Sequence, residues 1–319
     1  MQRHSQLHWF GAVGAGFGLA VLQACAPAAS IRPSLAPATT VQPLPQSAVG
    51  AETTASAEAR MYYAQVQTSL LASGMLRTDG GGKDTPYTDR MLSENFLQIA
   101  LHDEYERLGT KAVAGDDPTQ LRRWNVPVRV GLRFGASISP DKRATDSARV
   151  ASYLGRLARI TGHPIRLDDT NPNFVLAIVA EDERAALGPV VAKTLPQLTA
   201  QDISGLINPA KTTYCAVYVQ SDSQGNYSRA FAVIRAEHPD LLRLSCLHEE
   251  IAQGLGLPND SPRARPSIFN DDEEFALLTG MDEHLLQMLY DPMLRPGMTE
   301  TEARPIVETL AARILGGAS

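Results

Sequence analysis

The sequence predicts an α+β domain built on a mixed sheet, and three observations carry that expectation. At VPVRVGLRF (126–134), Val126, Val128, Val130, Leu132 and Phe134 alternate with polar or small residues in a period of two. Two further strand-like runs, YCAVYVQ (214–220) and YSRAFAVIRA (227–236), flank a Gly225–Asn226 turn of hairpin character. A helical stretch with a polar motif, CLHEEIAQGLGLPND (246–260), follows directly. Strand, helix, several strands and then a motif helix is an α+β order.

The chain opens with a segment that does not belong to this domain. Arg3 precedes an apolar run from Trp9 to Leu22, the length of a signal-peptide core and shorter than a spanning helix needs. The run ends in Leu22-Gln23-Ala24-Cys25, which resembles the bacterial lipobox. That resemblance implies cleavage after residues 1–24 and lipidation of Cys25; the alternative is a plain signal or short anchor with Cys25 a bystander. Residues 25–57 are rich in Ala, Pro, Ser and Thr and carry too little apolar surface to offset the entropy of ordering, so they read as a disordered tether. Ala26, not Asp, follows Cys25, which favours the outer membrane over inner-membrane retention. The expected location is the cell envelope, with the domain facing the periplasm and the membrane as a partner through the lipid.

A single domain over residues 58–319 is expected next. Its first part, 58–120, reads as a helical extension: AEARMYYAQVQTSLLASGML (57–76) and LSENFLQIALHDEYERL (92–108) have helically spaced apolar residues, with a glycine turn at 80–82 between them. Past the alternating strand, a helix is expected from about Asp146 to Thr161. Its stripe is Val150, Leu154, Leu157 and Ala158, and Gly162 stands where a C-terminal cap belongs. HPIRLDD (163–169) and NFVLAIVAED (173–182) read as strands. A helical stretch at Glu183–Leu195 is interrupted by Gly188-Pro189.

Whole-chain numbers narrow the function classes. In 319 residues, 44% are hydrophobic and 20% charged, an ordinary globular balance. The net charge is -6 and the 29 Lys and Arg residues are scattered, which argues against nucleic acid as a partner. With Cys25 lipidated, Cys215 and Cys246 remain as a pair in an oxidising compartment, where a disulfide is the expected state; two separately buried apolar thiols are the alternative.

The motif helix poses the central question. Read from His248, a zinc-protease template fails because position i+4 is Ala252. Shifted by one residue, Glu249, Glu250, Gln253, Gly256 and Asn259 fall on the fixed positions of H-E-x-x-H-x-x-G-x-x-H, the metzincin signature. At about 100° per residue, Cys246, Glu249, Glu250 and Gln253 share one stripe, and His248 lies with Ile251 and Leu255 on the apolar side. His248 is therefore expected to be a packed imidazole. Downstream, Ser267-Ile268-Phe269-Asn270 resembles the metzincin turn that floors the metal, with Phe269 in place of its methionine. Asp282 through Tyr290 resembles that family's closing helix.

At a finer grain the chain resembles a family of bacterial lipoproteins of unknown function grouped with metzincin-like folds. The residues that carry this are LLASGMLRTD (70–79), NFLQIALHDE (95–104), RWNVPV (123–128), CLHEEIAQGLGLPND (246–260) and LLTGMDEHLLQMLYDPMLRPGM (277–298). The resemblance implies a zincin-like fold with a degenerate site. Glu249, Gln253, Asn259 and Asp260 would be its metal-facing residues, and Glu250 its catalytic residue only if it is active. Amides are poor zinc ligands, so no cofactor is expected; zinc or another divalent ion is the rival. The expected role is a catalytically inactive binding or assembly module that takes an envelope protein or peptide in its cleft. A metal-dependent hydrolase using Glu250 and a purely structural envelope protein are the alternatives.

Overall fold

The computed structural model describes residues 52–108, 111–270 and 272–316. The signal segment, Cys25 and the tether up to residue 51 lie outside the described residues. Helix α1 spans Thr54–Ala72 and begins within the last residues assigned to the tether, because the Thr53 hydroxyl accepts from the Ser56 amide and caps the first turn.

Helix α2, Asp89–Ala100, starts under a Thr88 cap and buries Leu92, Phe96, Leu97 and Ile99. Here the expectation of an all-helical extension fails. The chain leaves the helix at Leu101 and forms an antiparallel pair, β1 (His102–Leu108) with β2 (Lys111–Pro118). The physical reason lies in HDEYERL, which is mostly polar and has no apolar stripe to hold a helix against the domain. Cross-strand pairing satisfies its backbone instead, and the Thr119 amide closes the base of the pair on the Leu101 carbonyl at 2.7 Å.

The main sheet has six strands and is mostly parallel. Strands β4 (Val128–Phe134), β5 (Ile165–Leu167), β6 (Phe174–Val179) and β8 (Asn226–Arg235) run parallel in the order β5-β4-β6-β8. The two-residue β3 (Arg123–Trp124) joins the start of β8 in parallel, and β7 (Cys215–Ser221) pairs with β8 antiparallel. Gly225, at φ +79°, makes the β7–β8 turn as the sequence suggests.

Both sheet faces are covered. One face, with Val128, Val130, Leu132, Leu176, Ile178 and Ala232, packs under α3 (Pro140–Thr161), α6 (Asp240–Gly256) and α7 (Gly280–Leu289) in the large core. The other, with Val175, Ala177, Val179, Phe231 and Val233, is covered by a 3-10 turn at Glu181–Leu187 and the short helices α4 (Gly188–Thr194) and α5 (Ala200–Ile207). Buried on both sides, β6 reads as the continuous apolar run FVLAIV. Helix α3 begins six residues before the expected Asp146, since Ser139 caps it and Pro140 occupies its first turn. Pro189 likewise starts α4 where an interruption was expected. Helix α8, Glu300–Gly316, which the sequence reading did not place, lies against α2.

The extension is locked to the end of β8. Ser56 donates to Glu237 Oε1 at 2.7 Å, the Tyr63 ring meets His238 edge-on at 4.4 Å, and Gln67 accepts from the Leu242 amide at 3.0 Å.

Candidate functional site

Helix α6 carries the motif, and its C-terminal turn dictates two glycines. Trp124 Nε1 donates to the Gly254 carbonyl at 2.8 Å, and a Cβ on Gly254 would collide with the Phe174 ring. Gly256 has φ +129° and faces the Arg122 carbonyl, so a side chain there meets both strain and backbone. The chain turns out of the helix at this residue, the position of the turn glycine in the shifted metzincin frame.

The two candidate registers can now be compared through His248. Its ring stacks on Tyr153 at 3.9 Å and 9°, and Nδ1 accepts the Leu278 amide at 3.1 Å. Tyr153 in turn donates to the His248 carbonyl at 2.9 Å. Burial, aided by the Arg156 charge, holds the imidazole pKa down at about 3, so it stays neutral and acts as a backbone acceptor. His248 is core, as its place on the apolar stripe implied.

On the other stripe, ligand atoms of Cys215, Glu249 and Glu250 lie within 4.8 Å of one another. Glu250 is buried and Glu249 half-buried. Cys215 is the first residue of β7, and it is bonded to Cys246 on α6, with 5.9 Å between their Cα atoms. The disulfide therefore sits one helical turn before the two glutamates and beside them. Cys246 lies on the glutamate stripe, so a bridge from it brings Cys215 to that stripe as well.

The remaining candidates do different work. Gln253 is buried one turn past the glutamates. Asn259 ties the chain after α6 to the end of α2, its amide nitrogens reaching the Ile99 carbonyl from the main chain and the Gln98 carbonyl from Nδ2, both at 3.1 Å. Asn259 thus clamps these two segments through its nitrogens. Asp260 is not among the groups that converge with Glu249 and Glu250; among the described residues, that metal-type cluster of His, Cys, Asp and Glu comprises Cys215, Glu249 and Glu250.

A metzincin-type zinc ion does not fit the shifted frame. Its three histidine positions hold a carboxylate and two neutral amides, which are poor zinc ligands, and the Cys215 sulfur beside the glutamates is locked in a disulfide.

The segment after α6 is built around Asp282. This fully buried carboxylate accepts from the Ser267 hydroxyl, the Ile268 amide, and the Thr279 amide and hydroxyl, so it both caps α7 and fixes the 267–269 turn. Burial pushes its pKa up, and the four donors oppose that shift. Phe269 points into the large core and is fully buried. At the end of α7, Tyr290 donates to the Leu255 carbonyl at 2.9 Å and ties the last turn of α6.

Sequence reasoning missed the group that holds α6 in place from behind. Arg243 and Asp146 are both essentially inaccessible, and Arg243 Nε lies 3.1 Å from Asp146 Oδ2. The same guanidinium donates to the His238 carbonyl at 2.8 Å and to Asp240 Oδ1 at 2.7 Å. On α3 the available signal is Asp146, a charged residue in line with the apolar stripe of Val150, Leu154 and Leu157.

No curated protein and no solved structure matches the chain. Residues 89–309, from the first residue of α2 into α8, match a family described as "Protein of unknown function (DUF2927)", and the chain belongs to that family.

Proposed function

We propose that this chain is a lipid-anchored envelope protein whose zincin-like domain binds an extended polypeptide along β7 without hydrolysing it. The observation that carries the reading is the position of β7. It is the antiparallel strand of the sheet, it pairs with β8, and among the described residues no other strand pairs with it. An edge strand offers a row of backbone donors and acceptors to which a peptide can add as a further strand. All seven of its residues are half-buried, and it runs beside the helix that carries Glu249 and Glu250.

The chemistry of the frame supports binding over cleavage. Peptide hydrolysis by the zincin route needs a metal-polarised water for the glutamate to deprotonate. The three imidazole positions hold Glu249, Gln253 and Asn259, and His248, on the same helix, is stacked on Tyr153. The envelope location rests on the apolar run 9–22 and on the lipobox-like Leu22 to Cys25.

Each half of the proposal has its own test. Mass analysis of the mature N-terminus is expected to find a lipid-modified Cys25, with Cys25→Ser releasing the protein from the membrane; an unmodified residue 25 refutes the anchor. A degenerate pool of extended peptides added to the full-length protein is expected to slow amide hydrogen exchange across residues 215–221. Unchanged exchange there, at peptide concentrations up to the millimolar range, contradicts the binding reading and leaves a purely structural role.

A further inference from the structure

Groups that ligate transition metals converge where β7 meets α6. One ligand atom each from Cys215, Glu249 and Glu250 lies within 4.8 Å of the other two. Cys246 is joined to Cys215, and it precedes Glu250 by four residues on α6, the spacing at which helical side chains stack on one face. In the oxidised protein the Cys215 sulfur is bonded to Cys246 and is no thiolate, which is the form a zinc ion takes as ligand.

We propose that reduction of the Cys215–Cys246 disulfide turns this cluster into a divalent transition-metal site, with Cys215, Cys246, Glu249 and Glu250 as ligands and Zn2+ as the preferred ion. Bonds of about 2.1 Å to oxygen and 2.3 Å to sulfur place tetrahedral ligands roughly 3.4 to 3.8 Å apart. The Cys215, Glu249 and Glu250 atoms, at most 4.8 Å apart, close by up to about 1.4 Å, a movement within reach of glutamate rotamers, while the Cys246 sulfur, once released, swings away from Cys215 to take the fourth position. Both carboxylates have other contacts in the oxidised protein, and the ion takes the place of those. Thiolates select zinc over calcium or magnesium, which the carboxylates alone would favour.

Access and order of events follow from burial. Cys215 and Glu249 are half-buried, whereas Cys246 and Glu250 lie behind them. A dithiol reductant attacks Cys215 Sγ as a thiolate, and Cys246 leaves with the bonding electron pair and takes a proton. The reductant's second thiol then displaces Cys215, so the reductant ends as a disulfide and the protein gains two electrons and two protons. Binding of Zn2+ releases both thiol protons to solvent. Behind the buried sulfur stands His238, whose Nδ1 lies 3.8 Å from Cys246 Sγ. Burial and the charges of Arg235 and Arg243 keep that imidazole neutral.

The site does not depend on the peptide reading, because metal loading and peptide protection are separate readouts. The test titrates Co2+ into full-length protein, oxidised and then reduced with a dithiol that is removed before titration, and follows thiolate-to-cobalt charge-transfer absorption. The expected result is one equivalent bound with that band in the reduced protein, displaced by Zn2+, and none in the oxidised protein. The double substitution Glu249→Gln/Glu250→Gln keeps the disulfide and is expected to weaken metal binding after reduction by about 100-fold, the upper end of the loss seen when only an outer-shell partner is removed. No charge-transfer band after reduction, equal binding by the oxidised protein, or undiminished affinity in the double variant each overturns the proposal.

Discussion

Replacing Arg243 with methionine is expected to lower the unfolding free energy by about 3 to 5 kcal/mol, the usual consequence of removing one partner from a buried ion pair. The loss falls on Asp146, which is fully inaccessible and keeps Arg149 as its other cation, 3.7 Å away and itself a third exposed. Arg243 also satisfies the His238 carbonyl and holds Asp240 at the first turn of α6, so the variant unpins the helix at the end opposite its glycine turn. Urea unfolding with the disulfide intact measures the effect. Adding Asp146→Asn to Arg243→Met is expected to restore part of the loss, because the uncompensated charge is then gone. A loss under about 1 kcal/mol in the single variant contradicts a buried, energetically coupled pair.

Stability is also expected to fall steeply as the pH drops below about 6.5. His238 and His248 are 1% and 8% exposed, and each has its pKa lowered from 6.5 to about 3. For both, burial is the main cause; Arg235 and Arg243 add to it at His238, and Arg156 at His248. Between pH 3 and 6.5 the unfolded chain binds protons at these two positions that the native state does not. The stability that depends on keeping them neutral is therefore complete above pH 6.5 and is lost as the pH falls through that window. At about 1.4 kcal/mol per pH unit for each group, two units below 6.5 remove roughly 2 to 3 kcal/mol per histidine. Denaturant midpoints from pH 7.5 to 4.5 report the slope. His248→Phe should flatten it by about half while lowering stability at pH 7, since the Leu278 amide loses its acceptor. An unchanged slope in that variant rules out His248 as a contributor.

The parts of the fold legible in the sequence are those dictated by local chemistry. Alternation in VRVGLRF marked β4, Gly162 closed α3 in a left-handed turn at φ +64°, and the Gly225 turn joined β7 to β8. The apolar stripe of α6 put His248 in the core, and the pairing expected of Cys215 and Cys246 is present as a disulfide. Val126, counted with the alternating run, stays about half exposed and precedes β4.

The illegible parts either lack a periodic signal of their own or depend on partners far along the chain. The β1–β2 pair, HDEYERL with KAVAGDDP, has no periodic signal of its own. Helix α5 did carry a local sign, the Thr199 and Asp202 capping box, but its eight residues are too few for a convincing period. Asn259 fits a ligand position by spacing, and only its contacts with the end of α2, some 160 residues earlier, reveal a clamp. The same holds for Cys215, whose place beside Glu249 and Glu250 follows from a pairing 31 residues long.

On the proposed reading, the Glu249–Asn259 segment of α6 and the chain after it serves binding and packing, and Glu250 does not act on a metal-bound water. The most direct measurement incubates the oxidised full-length protein and its Glu250→Gln variant with the same degenerate peptide pool and reads the pool by mass spectrometry for new termini. The account predicts that every peptide is recovered intact from both proteins, with the bound fraction enriched equally. New termini generated by the wild type and absent with Glu250→Gln would contradict it and restore Glu250 as a catalytic residue.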